Sequence, residues 1–94
     1  MEVHARIPAA LRDVSGGRST VTLVLSDSAT VAELLDAVAT SHPALERRIR
    51  DERGALRVHV NLFVGEENIR DLAGAGTELT DGAEVSILAA VSGG

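Results

Sequence analysis

The sequence predicts an α+β domain in two layers, a mixed sheet covered by one main helix. Three observations carry that expectation. Residues 2–7 and 20–25 alternate apolar and polar side chains with period two, residues 31–41 repeat apolar side chains at helical spacing, and two more alternating stretches follow at 57–64 and 84–90. At 94 residues the chain can build one hydrophobic core and not two.

In the first strand Val3, Ala5 and Ile7 fall on one side, and in the second Val21, Leu23 and Leu25 do the same. Between them Ser15-Gly16-Gly17 is a turn cluster that lets the two strands pair as a hairpin with a longer loop. Thr30-Val31-Ala32-Glu33 has capping-box spacing: the threonine hydroxyl accepts from the Glu33 N–H, and the Glu33 carboxylate reaches back to the Thr30 N–H. Val31, Leu34, Leu35 and Val38 then form one apolar stripe on a helix that ends near Ser41, before Pro43. Leu45 and Ile49 predict a further short helical stretch with Arg47, Arg48 and Arg50 on its outer face.

Residues 57–64 read as a strand, with Val58, Val60, Leu62 and Val64 facing the core and His59, Asn61 and Phe63 facing away. Residues 65–68 predict a turn into a short segment at Ile69, Gly74 and Gly76 mark loop, and Asp81-Gly82 is a tight-turn dipeptide. The last strand, 84–90, directs Val85, Ile87 and Ala89 inward. A domain over residues 1–90 and a C-terminal tail over 91–94 are therefore expected. Strand, strand, helix, strand, short strand, strand is the order of the ubiquitin-like β-grasp, with a four- to five-stranded mixed sheet.

Composition narrows the function. Hydrophobic residues at 45% and charged residues at 24% are ordinary for a packed domain and argue against disorder. With no cysteine, disulfides, thiolate zinc sites and cysteine nucleophiles are excluded. Phe63 is the single aromatic residue, so the stacking platform of single-strand nucleic-acid binders is missing. Nine basic residues, all arginine, stand against fourteen acids, and the net charge of −5 repels phosphate backbones at long range, so no nucleic-acid partner is expected. No apolar run is long enough to cross a bilayer, and the opening residues lack the basic start and apolar block of a signal peptide. The expectation is a cytoplasmic protein with no membrane partner. Residues 47–57 carry five arginines against Asp51 and Glu52, whereas 66–84 carry six acids against Arg70 alone. Such asymmetry suits either docking to a partner or a merely soluble surface.

Residues suited to catalysis do not cluster in the sequence. His4 and His59 on strands and His42 at a helix end share no metal-ligand spacing, and no metal site is expected. Ser15 and Ser19 lie outside any nucleophile elbow, Ser15-Gly16-Gly17-Arg18 has no P-loop spacing, and Glu66-Glu67 reads as solvated loop charge. With no acid, base and nucleophile to assemble, an independent enzyme is not expected.

The terminus stands out. At a background glycine usage of about 7%, a closing Gly-Gly is a coincidence of about one in two hundred, and fraying of a chain end is its plain explanation. Glycine, lacking Cβ, also threads channels that no other residue enters. Four extended residues, Val91-Ser92-Gly93-Gly94, reach about 13–14 Å, enough to place a carboxylate inside another protein's pocket. An ionised carboxylate is a poor electrophile; joined to AMP it gains a leaving group and becomes open to a sulfur or amine nucleophile. Having neither cysteine nor lysine, the chain offers its own activated end no thiol and no side-chain amine.

Several stretches resemble the β-grasp sulfur-carrier family typified by ThiS, MoaD and CysO. Ile7-Pro8-Ala9-Ala10-Leu11-Arg12 followed by Gly16-Gly17 is similar to the family's first strand and loop, and residues 29–35 to its helix start. Val60-Asn61-Leu62-Phe63-Val64 resembles the central strand, residues 79–85 the closing turn, and Ala90-Val91-Ser92-Gly93-Gly94 the reactive tail. The resemblance implies a carrier acted on by partner enzymes. An E1-like adenylating enzyme would use Mg-ATP to convert the Gly94 carboxylate to an acyl-adenylate, a sulfur donor would turn that into a thiocarboxylate, and an acceptor synthase would consume the sulfur. Gly94 then carries the atom, while Gly93, Ser92 and Val91 form the tether. Docking is expected on the outer sheet face at Phe63 and Leu88, the latter matching the family's bulky apolar contact six positions before the terminal glycine. Ala89-Ala90 replaces the two prolines common in molybdopterin-synthase subunits, and the tail with the long central hairpin resembles the cysteine-type carriers. A cysteine-type or secondary-metabolite pathway is thus favoured over molybdopterin or thiamine. The alternatives are a ubiquitin-like modifier conjugated through Gly94 and a plain interaction module.

Overall fold

A computed structural model of the chain describes residues 1–89, so the tail over 91–94 and the last residue of the expected 1–90 domain lie outside the described residues. The alternating stretches become β1 (Glu2–Arg6), β2 (Thr20–Val24), β3 (Val60–Val64), the two-residue β4 (Glu67–Asn68) and β5 (Glu84–Ala89). Two helices, α1 (Val31–Ser41) and α2 (Pro43–Ile49), lie between β2 and β3, and short 3-10 turns fill Ala9–Val14, Ile69–Asp71 and Gly74–Gly76. The strands join in one sheet in the order β2-β1-β5-β3-β4. β1 pairs antiparallel with β2 and parallel with β5, and β3 pairs antiparallel with both β5 and β4. This is the expected mixed five-stranded β-grasp.

Local chemistry explains where each element starts and stops. The β1–β2 connection bends through Gly16 and Gly17, whose φ of 70° and 80° lie in the left-handed region that costs glycine little. Buried Ser15 holds that loop: its hydroxyl lies 2.8 Å from the Arg18 carbonyl and 3.2 Å from the Arg12 carbonyl. Thr30 caps α1 by accepting from the Glu33 N–H at 3.3 Å. The second half of the expected box takes a different form, because the Glu33 carboxylate accepts from the Thr30 hydroxyl at 3.4 Å. Pro43 opens α2 at a position where the missing N–H costs nothing, so it both ends the first helix and starts the second.

The core forms where the apolar faces meet. Val3, Ala5, Val21, Leu23, Val60, Leu62, Val85 and Ile87 line the inner face of the sheet, and Val31, Leu34, Leu35, Val38, Leu45 and Ile49 press on it from the two helices. Each such burial of a Val, Leu or Ile side chain contributes roughly 1.5–3 kcal/mol relative to exposure. Asp81-Gly82 is placed as a clasp on β1 and not as a hairpin between neighbouring strands. The Glu2 N–H donates to Asp81 Oδ1 at 2.7 Å and the Gly82 N–H donates to the Glu2 carbonyl at 2.7 Å. With a φ of 81° at Gly82, this clasp delivers the chain into β5 beside β1.

Three expectations are corrected. Val58 is 90% exposed and His59 sits in a turn, because β3 begins only at Val60. Arg57 is drawn back to α2, its N–H donating to the Ile49 carbonyl at 3.0 Å and its Nε to the Arg47 carbonyl at 2.9 Å, and the Val60 N–H then closes a turn onto the Arg57 carbonyl. Val64 and Ala89 reach only the margin of the core, half-buried. Arg50 does not stand on an outer face: its side chain is 13% exposed, donating to Glu46 Oε2 at 2.8 Å and Asp36 Oδ1 at 3.0 Å. Burial opposes its charge, but the hydrogen bonds and charges of the two carboxylates outweigh that, so the guanidinium titrates above its ordinary value.

Two stability outcomes follow from this packing. Leu62→Ala leaves a cavity at a fully buried position and should lower unfolding free energy by about 2–5 kcal/mol, whereas Val58→Ala should stay within about 0.5 kcal/mol, as read by urea denaturation. Arg50→Ala strands the Glu46 carboxylate, itself only 17% exposed, and should cost about 1–3 kcal/mol. Asp36 is 70% exposed, and Asp36→Asn should cost less than about 1 kcal/mol.

Candidate functional site

The pairing of β5 decides what its end can present. Register with β3 continues to the last described residue, Val60 opposite Ala89 and Asn61 opposite Leu88. Toward β1 the ladder stops earlier, at Arg6 opposite Ser86. Beyond that point stands Pro8, which has no N–H to offer a neighbouring strand. A shallow groove of about 240 Å³ opens there, with Arg6, Pro8, Arg12 and Leu88 among its walls. The strand leading to the tail is thus held on one edge and open on the other.

Residues directly opposite one another share a sheet face, so Leu88 with Asn61 and Ser86 with Phe63 look outward, away from the helices. Leu88 is 50% exposed and Phe63 half-buried, and the two are diagonal neighbours on this outer face. The structure thus brings together the two described residues expected to face a partner. Val91, Ser92, Gly93 and Gly94 lie outside the described residues.

Charge around the end of β5 comes from arginines that sequence reading did not connect with the site. Arg6 pairs with Glu84 at 3.1 Å across the β1–β5 ladder. Arg70 donates to Asn61 Oδ1 at 2.9 Å and to the Val60 carbonyl at 3.3 Å, which sets it beside the strand partners of Leu88 and Ala89. On the other flank, Arg12 donates from Nε to the Ile7 carbonyl at 3.4 Å and borders the groove next to Leu88. The only hint of Arg70 in the sequence is its isolation among six acids, and Arg12 gives no hint at all.

The remaining candidates are dispersed. His4 Nδ1 lies 3.0 Å from the Thr22 hydroxyl, His42 Nδ1 lies 3.0 Å from the Ser41 hydroxyl, and His59 is exposed in its turn. Among the described residues no group of three or more His, Asp or Glu side chains gathers to hold a metal ion, and Glu66 and Glu67 are both exposed. A larger concavity of about 610 Å³ lies on the helix side, where Arg47, Arg50, Arg53 and Arg57 are matched by Asp36, Glu46, Asp51 and Glu52. With its charges in balance it favours neither sign of ligand. No helix of the described residues is long and apolar enough to cross a membrane.

Comparison with known proteins agrees with this geometry. The sequence pattern of the ThiS family matches residues 5–94. The sulfur carrier protein CysO of Mycobacterium tuberculosis is 30% identical over 96 residues, covering all of both chains. The crystal structure of SAMP1 from Haloferax volcanii superposes with a TM-score of 0.86 at 33% identity, covering 100% of each chain. A chain of the Amycolatopsis orientalis BexX/CysO complex superposes with a TM-score of 0.81 at 35% identity, covering 98% of this chain and 99% of that one. Overall fold and sequence pattern agree, and the chain belongs to the ThiS family.

Proposed function

We propose that this chain is a sulfur carrier, with a β-grasp domain over residues 1–90 and a tail over 91–94 ending in the Gly94 carboxylate. An E1-like enzyme binds the carrier and Mg-ATP. A carboxylate oxygen of Gly94 attacks the α-phosphorus, pyrophosphate leaves, and an acyl-adenylate forms. Hydrosulfide released by a sulfur donor then adds to the acyl carbon and AMP departs, leaving a thiocarboxylate. The chain contributes no catalytic group: it presents the end, and partner enzymes supply the chemistry. An acceptor synthase takes the sulfur in a cysteine-type or secondary-metabolite pathway.

The observation that carries this reading is the family match reaching Gly94, so that the diglycine falls inside the shared pattern. The likeness to CysO over the whole of both chains supports the cysteine-type assignment, and Ala89-Ala90 in place of two prolines points the same way. The exposed Leu88 at the end of a clamped β5 supports docking next to the tail. A second reading, a protein modifier joined through Gly94 to lysines of other proteins, is favoured by 37% identity over 84 residues to small archaeal modifier protein 1 of Haloferax volcanii. Both readings share the adenylate and part only at the nucleophile.

Incubated with the E1-like enzyme of the same genome, Mg-ATP and sulfide, the carrier should gain the mass difference between sulfur and oxygen at its C-terminus. An unchanged intact mass, while the enzyme is turning over ATP, would falsify the carrier reading. Removing Gly94 should abolish the gain and leave the melting temperature unaltered. Under the modifier reading, cell extracts should contain branched peptides in which Gly94 is linked to a lysine of another protein; their absence sinks that alternative. Chains of the protein linked through its own lysines should not appear, since it has none.

A further inference from the structure

The described surface around the end of β5 is basic, although the chain as a whole carries a net charge of −5. Arg70 stands on the β3 side and Arg12 on the β1 side, with exposed Leu88 between them. Neither guanidinium has a carboxylate within ion-pair distance among the described residues. Glu84 pairs with Arg6 and Asp13 with Arg48, and Asp71, next to Arg70 in sequence, makes no ion pair with it. Arg18, Arg47, Arg53 and Arg57 also lack ion pairs among the described residues, but Arg47, Arg53 and Arg57 line the charge-balanced concavity on the helix side, whereas Arg12 borders the groove beside Leu88 and Arg70 bonds the strand partners of Leu88 and Ala89.

What holds these two arginines is neutral. Arg70 rests on an amide oxygen and a backbone carbonyl, and Arg12 on a backbone carbonyl. Such contacts orient a guanidinium without neutralising it, so its remaining donors stay available to a carboxylate. A side chain already held in place also loses less rotamer freedom on docking. A planar fork fixed in this way matches a carboxylate with two parallel hydrogen bonds.

We propose that Arg12 and Arg70 form a basic collar around the described end of β5, and that it docks onto carboxylates flanking an apolar socket for Leu88 on the activating enzyme. This rests on the carrier reading and adds the charge that a partner must bring. The collar would fix the rotation of the domain over the channel mouth, so that the tail enters along one direction. Leu88, with half-buried Phe63 as its diagonal neighbour, is a small apolar contact that constrains that rotation only weakly. The opposite choice, a basic channel rim, would meet the collar with like charge.

The test uses carrier-dependent ATP–pyrophosphate exchange by the E1-like enzyme, together with intact-mass detection of sulfur gain. Arg70→Glu and Arg12→Glu should each raise the KM for carrier about tenfold or more at physiological salt, leave kcat within about twofold, and flatten the salt dependence. Arg53→Glu makes the same charge change on the helix side and should leave KM within about twofold. Arg70→Gln removes the charge while keeping a donor for Asn61, and it should raise KM with an unaltered melting temperature. Wild-type conversion with KM unmoved by the two reversals, or moved equally by Arg53→Glu, overturns the collar alone. A KM rise that appears only in variants with a lowered melting temperature overturns it as well. Should sedimentation show the wild type self-associating and Arg70→Glu dissolving the association, the collar belongs to a second copy and the proposal falls. No exchange and no sulfur gain with the wild type overturns the carrier reading and the collar with it.

Discussion

The pairing of β5 is the constraint on which the rest of the structure depends. A strand bonded on both edges cannot pivot, and Val85 and Ser86 of β5 are held in this way between β1 and β3. Past Ser86 only the β3 edge continues, so the last residues of the strand are fixed on one side and accessible on the other. The described end of β5 therefore has a defined place on the sheet. The Asp81–Gly82 clasp on Glu2 sets where β5 begins, and therefore which residues fall outward at its end. Shifting the register by a single residue would turn Leu88 into the core and Ile87 out of it.

Helix packing serves the same end. The inner face of the sheet is covered by α1 and α2 through a continuous layer of Val, Leu and Ile, which keeps the sheet from flexing where β5 runs through its centre. Arg50 joins the two helices to each other by bonding Asp36 on α1 and Glu46 on α2. Burial opposes its charge, and the hydrogen bonds and charges of the two carboxylates outweigh that. The ion pair lies in the layer that faces away from the outer sheet surface, so that surface keeps its own arginines.

Much of this architecture was legible because it depends on local periodicity. Thr30 through Val38 carry both a cap and a stripe, and each is realised in α1. The outward direction of Phe63 and Leu88 follows from alternation alone once the strands are placed. Alternation failed at Val58, where three hydrogen bonds involving Arg57 delay the start of the strand; two of the partners, Arg47 and Ile49, lie ten and eight residues back in a different element. Arg50 was misread for a related reason. Helical spacing places it beside Arg47 and Arg48, but nothing local shows that Asp36 of the other helix stands opposite. The arginines around β5 belong to the same class, because Arg70 is brought to Asn61 by the β3–β4 turn and Arg12 to Leu88 by the path after β1. Contacts between elements are written in tertiary structure, and one sequence carries only the local part.

Net charge is a poor guide to the partner of such a domain. At physiological ionic strength charges are screened beyond about 8 Å, so the fourteen acids act mainly where they stand. The acid-rich stretch over residues 66–84 includes Glu84, whose charge is met by Arg6, and Arg70, which is aimed at β3 and not at its acidic neighbours. On the proposed docking, a partner would meet the local pattern at the end of β5: two guanidinia and a leucine. Complementarity to such a surface would have to act within a few ångströms, whatever the sign of the whole molecule.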